Sequence, residues 1–254
     1  MEHTPIVVVA NHKGGVGKTT IAVRIAVEMA SVGRRVLLID LDPQGGATLL
    51  LHGHALGEGE RGTYEALLGE APLVDVAQST PYGPDLVGAS DLLARAELAL
   101  AVEMGRENAL RRALDEAPAN RWDVVILDCP PSLGLLLVNA LTAGSHVLVP
   151  VMPSLLSLAA LRVFNEATTI AQKRLNPRLR MLGYVLNQTD ARERALEEAR
   201  ELLRKHGAGD GLIGEVRVDA RLRGMDGLKV KDRAGDDLAK LATDIARRIE
   251  LPQL

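Results

Sequence analysis

The chain has 254 residues, with 30 Lys and Arg against 33 Asp and Glu, a net charge of -3. That balance excludes a globally basic nucleic-acid coat, though not a local basic face. Five aromatic residues (Tyr64, Tyr82, Trp122, Phe164 and Tyr184) are too few for a platform that stacks bases, and the single cysteine, Cys129, excludes a disulfide framework and any paired-cysteine metal site.

Taken in chain order, the first element is Ile6–Ala10, a short valine-rich run suited to a strand covered on both faces. A glycine-rich turn, Asn11–Lys18, follows. Thr19–Val32 carries Ile21, Ile25, Ala26 and Met29 at helical spacing, with Gly33 placed to cap its end. Val36–Ile39 is a second buried strand. This strand–turn–helix–strand opening predicts an α/β fold with a mostly parallel, twisted sheet and helices on both faces.

The stretch from Gly45 to Asn120 is harder to read. It offers helical pieces at Thr63–Leu68, Asp91–Leu100 and Asn108–Ala117, and a weak strand at Leu86–Gly88. The α/β alternation then returns. Asp123–Leu127 and His146–Val151 read as strands around a helix, Leu133–Thr142. Ser157–Leu175 is helical, Met181–Leu186 is a strand, Arg192–His206 is a charged helix, and Asp236–Ile249 is a last helix. With no internal repeat or long linker, residues 1–254 are expected to form one domain. No apolar stretch reaches the ~18–20 residues that a bilayer requires, and the start, Met-Glu-His-Thr-Pro running directly into an apolar run, lacks the basic start and cleavage site of a signal peptide. The reading is a cytoplasmic protein.

The chemistry begins at Lys13-Gly-Gly-Val-Gly-Lys-Thr-Thr20. Glycines let successive backbone N–H groups converge on phosphate oxygens, and the following helix presents its positive end to the same anion. Gly14, Gly15, Val16 and Gly17 would form the cradle. Lys18 would bridge the β- and γ-phosphates, and the Thr19 hydroxyl would ligate Mg²⁺. The pattern is that of a P-loop NTPase, except that His12 stands where the first glycine is expected. Two acidic strand ends would converge on the same place, Asp40-Leu-Asp-Pro-Gln44 and Asp128-Cys-Pro-Pro131, because ligands of doubly wound sheets bind at the carboxyl ends of strands. Asp128 reads as the acid that holds Mg²⁺ through water. Asp42 could orient the attacking water.

These motifs resemble a known family. Lys13 is the signature lysine of the deviant Walker A ATPases, in which His12 is no defect. Asp40-Leu-Asp-Pro-Gln-Gly45, Asp128-Cys-Pro-Pro-Ser-Leu-Gly134, Leu175-Asn-Pro177 and Asp190-Ala-Arg192 resemble the ParA/Soj partition ATPases from residue 5 to about residue 248. The resemblance implies an ATP hydrolase, slow alone, that closes into a homodimer with ATP and Mg²⁺. It implies that Lys13 reaches the ATP of the partner subunit and that Lys18, Thr19 and Thr20 bind phosphates and metal. Asp42 would position the hydrolytic water, Asp40 would be an auxiliary acid near the metal, and Asn187 would recognise the adenine. Two departures stand out. Val216-Arg-Val-Asp-Ala-Arg221 lacks the family's proline near the base, and Ser154 stands where many relatives are acidic, which points that region to a different partner.

Such ATPases bind double-stranded DNA without sequence preference. Residues 174–235 carry 14 basic against 10 acidic residues, and phosphate contacts need charge more than base-edge geometry. Arg192, Arg194, Arg217, Arg221, Arg223, Lys229 and Lys231 are the candidates. The implied function is chromosome or plasmid segregation at the nucleoid, with a ParB-like centromere-binding protein triggering hydrolysis and release. A MinD-like or other cargo-positioning ATPase is the alternative. The tail, Ala246–Leu254, lacks aromatic residues and is stopped by Pro252, so a packed helix is expected in preference to a membrane anchor. A metabolic ligase on the same scaffold fits the Lys13 signature and the basic 217–233 segment less well.

Overall fold

The computed structural model describes residues 4–57, 59–190, 194–206, 209–219 and 233–251. Its centre is β1 (Ile6–Val9), paired in parallel with β5 (Val124–Asp128) on one side and β6 (His146–Val151) on the other. Beyond β5 lie β2 (Val36–Asp40), β4 (Asp85–Val87) and the two-residue β3 (Gln78–Ser79). Beyond β6 lie β7 (Arg180–Thr189) and β8 (Leu212–Arg217). The order is β3-β4-β2-β5-β1-β6-β7-β8, and only β3 runs antiparallel to its neighbour.

Strand residues alternate between two cores, one on each face. Val7, Val9, Leu38 and Ile126 face the helices α1 (Lys18–Ser31), α2 (Gly46–His52) and α10 (Arg233–Arg248). Val8, Leu37, Ile39 and Leu127 face the other layer, made of α3 (Thr63–Leu68), α4 (Leu73–Val76), α5 (Leu93–Ala101), α6 (Ala109–Asp115), α7 (Leu135–Ala143), α8 (Leu155–Arg174) and α9 (Arg194–His206). Burial on both faces is why these strands read as unbroken apolar runs. Truncating one such residue, Val8 or Leu127, to alanine would cost about 2–4 kcal/mol.

The expected elements are present with ends shifted by at most three residues, and Thr63–Leu68 and His146–Val151 match at both ends. Gly33 does close α1: its φ is +88°, and Gly33 N and Arg34 N donate to Ala30 O and Met29 O. Among the described residues, α2, α4, β3, β8 and a single 3-10 turn at Arg106–Asn108 were not expected from the sequence. The last helix, α10, lays Leu238, Leu241 and Ile245 into the core beside α1, so its apolar face is covered. Among the described residues no helix is long and apolar enough to cross a membrane.

Candidate functional site

The site lies at the carboxyl ends of β1, β2 and β5. The chain leaves β1 through Asn11, whose Nδ2 donates to Pro150 O (2.8 Å) while its Oδ1 accepts from Lys13 N (3.1 Å). This fixes the start of the loop between β1 and β6. Gly15 and Gly17 then take φ of +75° and +88°, backbone that side-chain-bearing residues rarely adopt. Gly17 has a second constraint: a Cβ there would overlap the amide of Asn187. Asn187, at the end of β7, donates from Nδ2 to Val16 O at 2.9 Å and is almost wholly buried. A register shift falls at Gln188, which adopts φ +57°. Such a bulge beside a site re-aims a side chain, here toward the loop. The residue expected to read adenine is thus also a clamp on the phosphate loop.

The two lysines differ. Lys18 is buried, and its Nζ donates to Lys13 O at 3.2 Å. Burial pulls its pKa below the ordinary value, and the nearby Asp128, Cys129 and Asp42 push it back up. Lys13 is half-buried and donates from Nζ to Ser157 Oγ at 2.8 Å. Ser157 is in turn 2.7 Å from Ser154 Oγ, the residue that caps α8. The signature lysine is therefore held within its own chain by one neutral hydroxyl, itself braced by a second.

Asp40 and Asp128 are in register on adjacent strands, and neither is exposed. Their surroundings diverge. Asp40 Oδ1 accepts from Asp42 N (3.1 Å), and its Oδ2 accepts from Thr48 N (2.9 Å) and Thr48 Oγ1 (2.7 Å). Burial still lifts its pKa to about 6, against the pull of those donors. Asp128 has both oxygens buried with no hydrogen-bond partner. Burial, then the charge of Asp40, pushes its pKa well up, while the Thr19 hydroxyl and Lys18 favour its charged form. Buried polar atoms are nearly always satisfied, so an orphaned carboxylate beside a buried ammonium marks a place for a cation and an anion together. Both oxygens of Asp40, the acid expected near the metal, accept hydrogen bonds from its own chain. Among the described residues no three His, Cys, Asp or Glu side chains cluster for a metal. A magnesium ion here would lean on phosphate oxygens, as that ion commonly does.

Asp42 is half-buried at the head of a turn, with its Oδ1 accepting from Gln44 N at 3.0 Å and Gly45 N donating to its carbonyl at 2.8 Å. Thr20 sits in the first turn of α1. Cys129 is buried, with its thiol pKa pushed up by burial and by Asp128, which suits a core residue.

The basic residues expected to meet DNA are only partly described. Arg192, Arg221, Arg223, Lys229 and Lys231 lie outside the described residues, and Arg194 is the first residue of α9. Arg217 ends β8 and grips Asp237 of α10 through two bonds, Nε to Oδ2 and Nη2 to Oδ1, each 2.7 Å.

Sequence reasoning missed Asn11, Thr48 and Ser157. Ser157 and Asn11 meet partners 144 and 139 residues away, so no local motif marks them. Thr48 is eight residues from Asp40, but a lone threonine in a short helix carries no signal of its own.

A glycine-rich loop between a central parallel strand and a helix, with acids at the neighbouring strand ends, defines a nucleotide-binding protein of the P-loop class. The family profile described as an AAA domain matches residues 4–181. The sporulation initiation inhibitor Soj of Bacillus subtilis is 40% identical over 78% of this chain and 80% of its own. The chromosome-partitioning ATPase Soj of Thermus thermophilus is 42% identical over 79% of this chain and 76% of its own. A solved structure from Mycobacterium smegmatis, named cobyrinic acid a,c-diamide synthase and holding an ATP analogue and magnesium, is 32% identical. It superposes with a TM-score of 0.87 over 99% of both chains. The chain belongs to the ParA/Soj family of chromosome-partitioning ATPases.

Proposed function

We propose that the chain is a single-domain ATPase that positions a chromosome or plasmid by an ATP-dependent cycle on nucleoid DNA. The observation that carries the nucleotide part is the orphaned Asp128 beside the buried Lys18, beneath the glycine loop. Backbone N–H groups of Gly14–Gly17 and the α1 terminus would receive the phosphates of ATP. Lys18, turned from the Lys13 carbonyl, would neutralise them. Thr19 and Asp128 would hold Mg²⁺, which when bound screens the charge of the β- and γ-phosphates. Asp42, fixed by Gln44 N, would hold the attacking water. Lys13, released from Ser157, would reach the nucleotide of the partner subunit and stabilise charge developing there. Asn187 would keep the loop in shape and face the base.

The DNA part is supported by the names of the relatives and by the basic balance of residues 174–235. The dimer would double that basic area, so that DNA affinity follows the nucleotide state. A ParB-like partner would stimulate hydrolysis and release. The protein would work in the cytoplasm on the nucleoid. The covered apolar face of α10 supports this over a membrane-cycling reading.

The test is ATPase activity of the full chain alone, with duplex DNA, and with DNA plus the cognate ParB-like protein. The expected result is a low basal rate that rises only with both, and DNA binding that is salt-dependent and stronger with ATP than ADP. A fast, unstimulated rate would overturn the switch. The name of the 32%-identical Mycobacterium smegmatis protein favours a second reading, a diamide synthase. ATP turnover that required cobyrinic acid, with no response to DNA, would establish that reading instead.

A further inference from the structure

We propose that Thr48 is a positioning residue for ATP hydrolysis, setting the place of Asp42 through the buried carboxylate of Asp40. This rests on the water-holding role proposed for Asp42.

The geometry is a closed set of bonds. The Thr48 hydroxyl has one proton, and it goes to Asp40 Oδ2 at 2.7 Å. Its oxygen accepts the Ala89 N–H, just beyond β4, at 2.8 Å. The Thr48 backbone N–H gives a second bond to the same Asp40 oxygen at 2.9 Å. The other oxygen, Oδ1, is then fixed in direction and receives the Asp42 N–H at 3.1 Å. Asp42 is thus placed from below by a carboxylate that cannot rotate. Thr63 adds a brace, donating its hydroxyl to the Asp40 carbonyl at 2.8 Å.

The same threonine ties this acid to the phosphate loop. Thr48 fixes the first turn of α2, and Gly46 in that turn lies directly on Thr19: a Cβ at Gly46 would press on the Thr19 methyl at 3.1 Å. The Thr48 methyl in turn packs on Gly88, where an added Cβ would stand 3.1 Å away. One side chain therefore sets three things: the direction of the Asp40 carboxylate, the approach of α2 to Thr19, and the end of β4. Thr48 touches none of the reacting groups. Its effect must pass through position, to which hydrolysis is far more sensitive than ground-state binding.

The experiment compares wild type with Thr48→Val, Thr48→Ser and Thr48→Cys in the full chain, reading kcat for ATP and the affinity for a fluorescent ATP analogue. Valine keeps the shape but removes the donor to Asp40 and leaves the Ala89 N–H unmatched. The expected result for Thr48→Val is a kcat lower by about 10–100-fold with nucleotide affinity within about threefold of wild type. Thr48→Ser, which restores the hydroxyl without the methyl, recovers most of the rate. Circular dichroism checks folding. If Thr48→Val does not fold, Thr48→Cys carries the test: its weak thiol donor places its kcat between those of Ser and wild type on one side and the valine expectation on the other. The proposal is overturned if Thr48→Val hydrolyses at the wild-type rate, if affinity falls in step with kcat, if Thr48→Ser is as slow as Thr48→Val, or if Thr48→Cys equals wild type. A wild-type chain that hydrolyses no ATP, even with DNA and its ParB-like partner, would instead remove the underlying reading of Asp42.

Discussion

The carboxyl ends of β2 and β5 lie side by side and end in the same residue type, Asp40 against Asp128. Their two carboxylates live under opposite conditions. Asp40 is enclosed by three donors from its own chain, whereas Asp128 has none within hydrogen-bonding geometry. The difference teaches how one fold divides labour between equivalent positions. A saturated buried acid is fixed by its own chain, and a deprived one is left open to the positive charge that the proposed metal would bring.

The comparison breaks most visibly on removing the deprived acid. Asp128→Ala is expected to lower ATP hydrolysis by at least about a hundredfold while raising the stability of the nucleotide-free protein by about 1 kcal/mol. Steady-state turnover and urea unfolding measure the two halves, and a loss of stability would contradict the orphan assignment. Asp40→Ala should act with the opposite sign on stability. It strands the donors of Thr48 and Asp42 in the interior, at a cost of about 3 kcal/mol in the same unfolding assay; an unchanged midpoint would deny the enclosure. The smallest effect is expected at Ser157→Ala, which touches neither acid. It removes one hydrogen bond to Lys13, about 1 kcal/mol or less, and frees that lysine for the partner subunit. ATP-dependent dimerisation followed by analytical ultracentrifugation should then set in at a several-fold lower concentration of protein. A higher threshold would mean that Ser157 guides Lys13 toward the dimer.

Much of this arrangement was legible in the sequence, and what escaped has physical reasons. The strands β1, β2, β5 and β6 are covered on both faces, so they appear as apolar runs with nothing to interrupt them. β8 is an edge strand, Leu-Ile-Gly-Glu-Val-Arg, mostly half-buried and broken by Gly214 and Glu215. It shows no such run. β7 extends three residues beyond its apolar part, where Asn187 reaches the phosphate loop and Thr189 donates its hydroxyl to Val216 O of β8. The phosphate loop was legible because its chemistry is contiguous: backbone, glycines and lysine all lie within Lys13–Thr20. The bonds of Asp40 were not legible because a carboxylate after a strand looks the same in sequence whether its partner is a metal or Thr48. Only the folded chain brings Thr48, Ala89 and Thr63 to one point.

The clamp of Asn187 on Val16 has a thermodynamic consequence. β7 carries that clamp near its end and pairs from Tyr184 to Thr189 with β8, whose last residue is Arg217. One strand thus borders both the phosphate loop and Arg217, one of the residues proposed to meet DNA. Any influence that travels along it is reciprocal by linkage. On the proposed cycle, the factor by which bound ATP would tighten the hold on DNA is the factor by which DNA would tighten the hold on ATP. A dimer resting on the nucleoid would therefore hold ATP more tightly at equilibrium than one in free solution, and DNA would act as a cofactor of nucleotide binding.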